Sequence, residues 1–161
     1  MSALTFRQAD LKDADTLLDI EAGCFKTDGF NRRQFRYLLR RAKALTLVAC
    51  WDKRVVGYCL LLLPAHPRPA RLYSVAVLSA YRGKGIAEQL IQRAIARMKA
   101  AGYTRLRLEV SKKNAAAQSL YRRLGFADIA ELPGYYEDGG DGIRMQCDLE
   151  QSQAASELCA E

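Results

Sequence analysis

The stretch Leu72-Tyr-Ser-Val-Ala-Val-Leu-Ser-Ala-Tyr-Arg82-Gly-Lys-Gly-Ile-Ala-Glu88 is an apolar run that breaks at a glycine-containing turn and resumes as a helix. The pattern reads as a strand feeding directly into an exposed helix start. Gly83 and Gly85 carry no Cβ to shield the first backbone N–H groups of that helix, and those groups have no partners within the helix itself. With the helix dipole they make a site for an anion. The spacing fits neither GxxxxGK[ST] nor GxGxxG, which argues against a nucleoside triphosphate or a dinucleotide.

Downstream, Ala87, Leu90, Ile91, Ala94, Ile95 and Met98 share one face of a helix expected over 84–101, and Gly102 stops it. Residues 105–110 alternate as a strand, and the strand, helix, strand order makes it parallel to the strand before the turn. Asn114 is placed to cap a short helix carrying Ala117, Leu120, Tyr121 and Leu124, which Gly125 ends. Residues 126–130 and 143–149 read as an antiparallel pair. Upstream, residues 4–9 alternate as a strand, and a helix runs from the aspartates at 10 and 13 to about 22 with Leu17 and Ile20 on its buried side. A second helix is expected from about 31, with Phe35, Leu38, Leu39 and Ala42 on one face. The runs 45–51 and 55–63 form a hairpin about Asp52-Lys-Arg, apolar enough to be covered on both faces.

A chain of 161 residues with 50% hydrophobic content fits one domain with one sizeable core, expected over 1–150, followed by a polar, alanine-rich tail over 151–161. No apolar run approaches a membrane span and the N-terminus lacks the order of a signal peptide, so a cytoplasmic protein with no membrane partner is expected. Five cysteines, scattered and without Cys-x-x-Cys spacing, read as reduced thiols packed as small hydrophobes. The net charge of +7 includes one dense cluster, Arg32, Arg33, Arg36, Arg40, Arg41 and Lys43. A solvated helix face, attraction of an anionic ligand and contact with RNA each account for it. His66, the single histidine, lies in a proline-flanked loop that suits neither an oriented base nor a zinc site.

Arg82-Gly-Lys-Gly-Ile-Ala87 resembles the R/Q-x-x-G-x-G/A signature of the GNAT superfamily of N-acetyltransferases. Leu108-Glu-Val-Ser-Lys-Lys-Asn-Ala-Ala-Ala-Gln-Ser-Leu-Tyr-Arg-Arg-Leu-Gly-Phe126 looks like the second half of the same pattern. The likeness is closest to the ribosomal-protein-alanine and protein N-terminal acetyltransferase branch. It implies a mixed, mostly antiparallel α/β fold of six or seven strands flanked by about four helices, with a central parallel pair splayed to admit coenzyme A. It also implies acetyl-CoA as acetyl donor, no metal, and a primary amine as acceptor, best a protein or peptide N-terminus. A small amine or a lysine side chain is the second enzymatic reading. A basic coenzyme-binding or RNA-associated module is the non-enzymatic one, nucleic acid being a partner of the enzyme only through the ribosome.

Acetyl transfer needs a neutral amine, a stabilised oxyanion and a leaving thiolate. Glu109 has apolar neighbours, Leu108 and Val110, that point to the opposite face of its strand. Taken alone it is a carboxylate to be paired with Arg105 or Arg107; by resemblance it is the general base, acting directly or through water. Tyr121 is a core aromatic on its helix pattern and, by resemblance, the acid that protonates the departing sulfur. The resemblance further implies that the backbone of Val75, Ala76 and Val77 pairs with pantetheine, with the Val77 N–H as oxyanion donor. Arg82, Gly83, Lys84, Gly85, Ile86, Ala87 and Glu88 would hold the pyrophosphate, and Asn114 would touch the coenzyme. Phe25, Asp28, Phe30, Tyr135 and Tyr136 would line the acceptor groove. The chain lacks the Pro-Trp pair common in the first acceptor loop of the ribosomal branch and has Leu78-Ser79 where many relatives have Asp-Pro.

Overall fold

The computed structural model describes residues 3–24 and 43–149. The expected helix over 31–42, its basic cluster up to Arg41, and the tail over 151–161 lie outside the described residues. Among the described residues seven strands follow the order β1-β2-β3-β4-β5-β7-β6 in one sheet. They are β1 (Leu4–Gln8), β2 (Ala44–Trp51), β3 (Arg54–Leu62), β4 (Ala70–Val77), β5 (Arg105–Ser111), β6 (Ala127–Leu132) and β7 (Gly142–Asp148). Among the described residues there are three α-helices, α1 (Ala14–Cys24), α2 (Ile86–Ala100) and α3 (Ala115–Arg123). Mixed α/β architecture is thus present as expected. The chain divides into two compact units, Met1–Leu63 with Leu72–Ala94 and Pro64–Arg71 with Ile95–Glu161.

In the first unit β1, β2 and β3 are successive antiparallel neighbours. Val56 and the run Tyr58–Leu61 of β3 are all buried, because helices cover both of its faces. Leu17 and Ile20 of α1 pack with Val48, Cys50, Tyr58, Leu60 and Ala76 on one side. On the other, the Cys59 thiol reaches the Leu90 carbonyl of α2 and the Arg93 guanidinium lies 4.2 Å from the Phe6 ring centroid. The hairpin turn is shorter than Asp-Lys-Arg. Asp52 and Lys53 alone form it, with φ of 49° and 73°, so two non-glycine residues take the left-handed dihedrals that suit the twist of a two-residue hairpin. The Asp52 carboxylate accepts from the Ala3 N–H at 2.8 Å.

The approach to α1 is a 3-10 turn over Leu11–Asp13. Asp10 accepts from the Lys12 N–H and Asp13 accepts from the Asp10 N–H, a reciprocal cap that opens the helix. Arg7 of β1 grips the Asp13 carboxylate through both terminal nitrogens at 2.9 Å. This hydrogen bond holds the Asp13 carboxyl below its ordinary value although burial pushes the other way.

In the second unit β5 pairs antiparallel with β7, and β7 with β6. The start of β4 runs parallel to β5 through Ala70↔Leu106 and Arg71↔Arg107. Leu106, Leu108 and Val110 are buried and alternate with Arg105, Arg107 and Glu109 on the opposite face. The 64–70 loop is tied down by the Tyr103 hydroxyl, which donates to the Pro64 carbonyl at 2.6 Å, and by the His66 ring stacked on Tyr103 at 4.3 Å. Asn114 caps α3 as expected, its side chain accepting from the Ala117 N–H at 3.1 Å.

Candidate active site

The glycine turn of the first unit is built by its backbone. Gly83 and Gly85 have φ of 78° and 77°, a left-handed conformation that any Cβ would strain, with α2 starting immediately after at Ile86. A Cβ on Gly83 would meet nothing within 4 Å, so conformation rather than crowding by the protein requires glycine there. Arg82, Gly83, Lys84 and Gly85 are exposed, Ile86 is buried, and Ala87 and Glu88 are half-buried in the first helical turn. The Arg82 side chain donates to the Val77 carbonyl at 3.1 Å and ties the turn to the end of β4. The Lys84 ammonium lies 5.6 Å from the Trp51 ring centroid. Two left-handed glycines between cations, opening onto a helix start, suit an anionic group such as a pyrophosphate. Ala76 and Val77 are buried and Val75 is half-buried. Gly57 lets β3 approach this strand closely, since a Cβ there would come within 3.0 Å of the Ala76 carbonyl oxygen.

In the second unit Glu109 is held by arginines from two neighbouring strands. Its side chain is 8% exposed, and one oxygen pairs with Arg71 of β4 while the other accepts from Arg144 Nε of β7 at 3.0 Å. The partners are neither Arg105 nor Arg107. Arg105 donates to the Pro67 carbonyl, and Arg107 donates to the Gln146 amide oxygen at 2.8 and 3.2 Å. The reason is register: Glu109 faces Arg144 directly across the antiparallel ladder, whereas Arg107, farther off along the same strand, faces Gln146. Tyr135 stands near enough to Arg71 to act on its titration. Burial lowers the Arg71 pKa, but the hydrogen bond and charge of Glu109 outweigh it, with a smaller contribution from nearby Tyr135, and raise the value.

Tyr121 is 8% exposed on α3, its ring set edge-on to Phe126 at 5.8 Å. The Gln118 amide positions this helix by donating to the Ser111 and Lys112 carbonyls at 2.9 and 3.0 Å. Tyr135 is 46% exposed and lies edge-on to the half-buried Tyr136 at 5.0 Å. Gly142 packs under both rings, where a Cβ would come within 3.2 Å of Tyr136. The expected acceptor residues Phe25, Asp28 and Phe30 lie outside the described residues. Arg71, Arg144 and Gln118 escaped the sequence reading. Only the alternation of Arg144 and Gln146 with buried Ile143, Met145 and Cys147 hinted at a polar sheet face.

The family model of the acetyltransferase (GNAT) family matches residues 14–126. An N-alpha-acetyltransferase of Sulfurisphaera tokodaii is 32% identical over 154 residues, spanning 89% of this chain and 92% of that protein. The crystal structure of the ribosomal-protein-S18-alanine N-acetyltransferase from Escherichia coli superposes with a TM-score of 0.83 at 23% identity, over 91% of this chain and 94% of that one. A structure of the NatC complex bound to Gag peptide and CoA contains a chain matching with a TM-score of 0.79 at 23% identity, over 90% of this chain and 98% of that one. The family match extends from the start of α1 through both halves of the motif, and the chain belongs to the acetyltransferase (GNAT) family.

Proposed function

We propose that this acetyltransferase moves the acetyl group of acetyl-CoA onto the α-amine of a protein or peptide N-terminus, within a single ternary complex. The observation that carries the reading is the nearly buried Glu109 carboxylate, held in place by Arg71 and Arg144. It is a carboxylate able to take an ammonium proton, and Tyr135 in the loop before β7 is an exposed aromatic able to cover a peptide. The named relatives that act on α-amines lend it support.

Acetyl-CoA is held through its pyrophosphate by the 83–88 turn with Arg82 and Lys84, and through its pantetheine by the β4 backbone at Val75–Val77, with Asn114 as a further contact. It supplies an activated thioester. Glu109 receives the ammonium proton, directly or through water. For an α-amine with a pKa near 8 the neutral form costs only about 1 kcal/mol at pH 7, against roughly 5 for a lysine. The amine nitrogen then bonds to the carbonyl carbon, the carbon–sulfur bond breaks, the Tyr121 hydroxyl gives its proton to the thiolate, and the surplus proton on the nitrogen passes to the tyrosinate. Direct transfer fits the described cysteines. Cys50, Cys59 and Cys147 are buried free thiols, and burial pushes the Cys59 thiol up to about 12, far from a nucleophilic thiolate. Such thiols also suit a cytoplasmic enzyme. The whole of 1–150 acts as the catalytic domain in this reading.

An acceptor screen tests it. Peptides with free α-amines should turn over with kcat/KM at least about tenfold above Nα-blocked lysine peptides and polyamines, the lower pKa of the α-amine favouring attack. The reverse order would hand the function to lysine or small-amine acetylation.

A further inference from the structure

Glu109 accounts for only part of the charge around it. On the same polar face stand Arg71, Arg107 and Arg144, three guanidiniums against one carboxylate, and Glu109 is already engaged by Arg71 and Arg144. Among the described residues Arg107 bonds only the neutral Gln146 amide oxygen, and no carboxylate pairs with it. Burial lowers its pKa, and Arg144, Arg105 and Arg71 lower it further, while Glu109 acts in the opposite sense. Arg105 differs, since Asp148 faces it across the ladder with β7. A half-buried cation crowded by like charges and bonded to a neutral group gains from an anion brought alongside.

We propose that Arg107 is a specificity-determining residue that selects acceptor peptides carrying an acidic side chain near the third position. The proposal rests on the N-terminal acetylation reading for the placement of the α-amine beside Glu109. Residues two apart on a strand are separated by about 6.6 Å, the distance that two residues of an extended peptide also cover. A peptide running from Glu109 toward the start of β5 therefore brings its third side chain abreast of Arg107.

Seven-residue peptides with a free α-amine, identical save for Asp, Asn or Lys at position three, decide the matter. Binding is read by fluorescence anisotropy in the presence of coenzyme A, and turnover in parallel. The wild-type protein should bind the Asp peptide roughly fivefold more tightly than the Asn peptide at low ionic strength, the advantage fading as salt screens it. Arg107→Gln should abolish that preference, Arg107→Lys should restore part of it, and Arg105→Gln should leave most of it. Arg107→Gln should still unfold cooperatively in urea with a midpoint close to that of the wild type, so that a lost preference is not a lost fold. Equal binding of the three peptides, or a preference that survives Arg107→Gln, overturns the proposal. So does an RNA oligonucleotide that displaces the Asp peptide and owes its own tighter binding to Arg107. A charge preference without acetylation of any peptide would sink the N-terminal reading and leave the anionic peptide site standing. Acetylation without charge preference would do the reverse.

Discussion

In the first unit Gly83 and Gly85 hold left-handed dihedrals on an exposed turn, whereas in the second Glu109 is a nearly buried side chain gripped from two other strands. The first arrangement presents backbone N–H groups, so what matters is the absence of a Cβ and the direction of the chain. The second presents charge, so what matters is which side chains the strand register brings side by side. The two therefore should fail in different ways. In the proposed roles, damage to the turn should weaken a binding step and damage to the carboxylate cluster a chemical one.

The largest effect should come from the second unit. Glu109→Gln and Tyr121→Phe are each expected to lower kcat by roughly 10²-fold or more, the usual worth of a positioned acid or base, with coenzyme A affinity by calorimetry nearly unchanged. If coenzyme affinity fell instead, the division of labour between the units would be wrong. Next comes the turn. Placing alanine at both Gly83 and Gly85 forces non-glycine residues into left-handed backbone at roughly 1–2 kcal/mol each, so KM for acetyl-CoA should rise about thirty- to a thousandfold. At saturating acetyl-CoA kcat should remain within about threefold of wild type, as for lost uniform binding. A drop in kcat at constant KM would show that the turn shapes the reacting centre as well.

The smallest expected effect is one of stability, in the first unit alone. The bond from Arg7 holds Asp13 below its unfolded carboxyl value, against the opposing pull of burial. Its contribution is therefore present in full above an unfolded pKa of about 3.9 and disappears as pH falls through the lower folded value. Asp13→Asn should cost about 1 kcal/mol at pH 7, a modest figure because Arg7 is 46% exposed and screened by solvent, and should flatten the acid limb of stability against pH. An unaltered acid limb in urea melts from pH 3 to 7 would mean that the pair contributes nothing beyond the reciprocal cap.

The same contrast explains what could be read from the sequence. The glycine turn is a local pattern of backbone need, so strand, glycines and helix lie in one stretch and were legible there. Asn114 was legible for the same reason, a cap being decided within four residues. Alternation placed Glu109 on the polar face of its strand, but not its partners. Arg71 and Arg144 lie 38 and 35 residues away in sequence and meet Glu109 only through the pairing of β4 and β7 with β5. Arg105 and Arg107 were nearer in sequence and bonded elsewhere. The Asp52-Lys53 turn showed a related difficulty, since its left-handed residues carry no glycine to announce a two-residue loop.

The arginine clamp has one more consequence. Arg71, Glu109 and Arg144 come from β4, β5 and β7, and a slip of one residue in either pairing would turn a side chain of the trio to the opposite face. Beside β5 such a slip would offer Leu108 or Val110 where the carboxylate belongs. The cluster thus works as an inspection mark for the assembled sheet. With Glu109 in its proposed role, catalytic competence should arise only in molecules whose strands have found their proper neighbours, so enzymatic activity should count correctly paired molecules where spectroscopic strand content would count slipped ones as well.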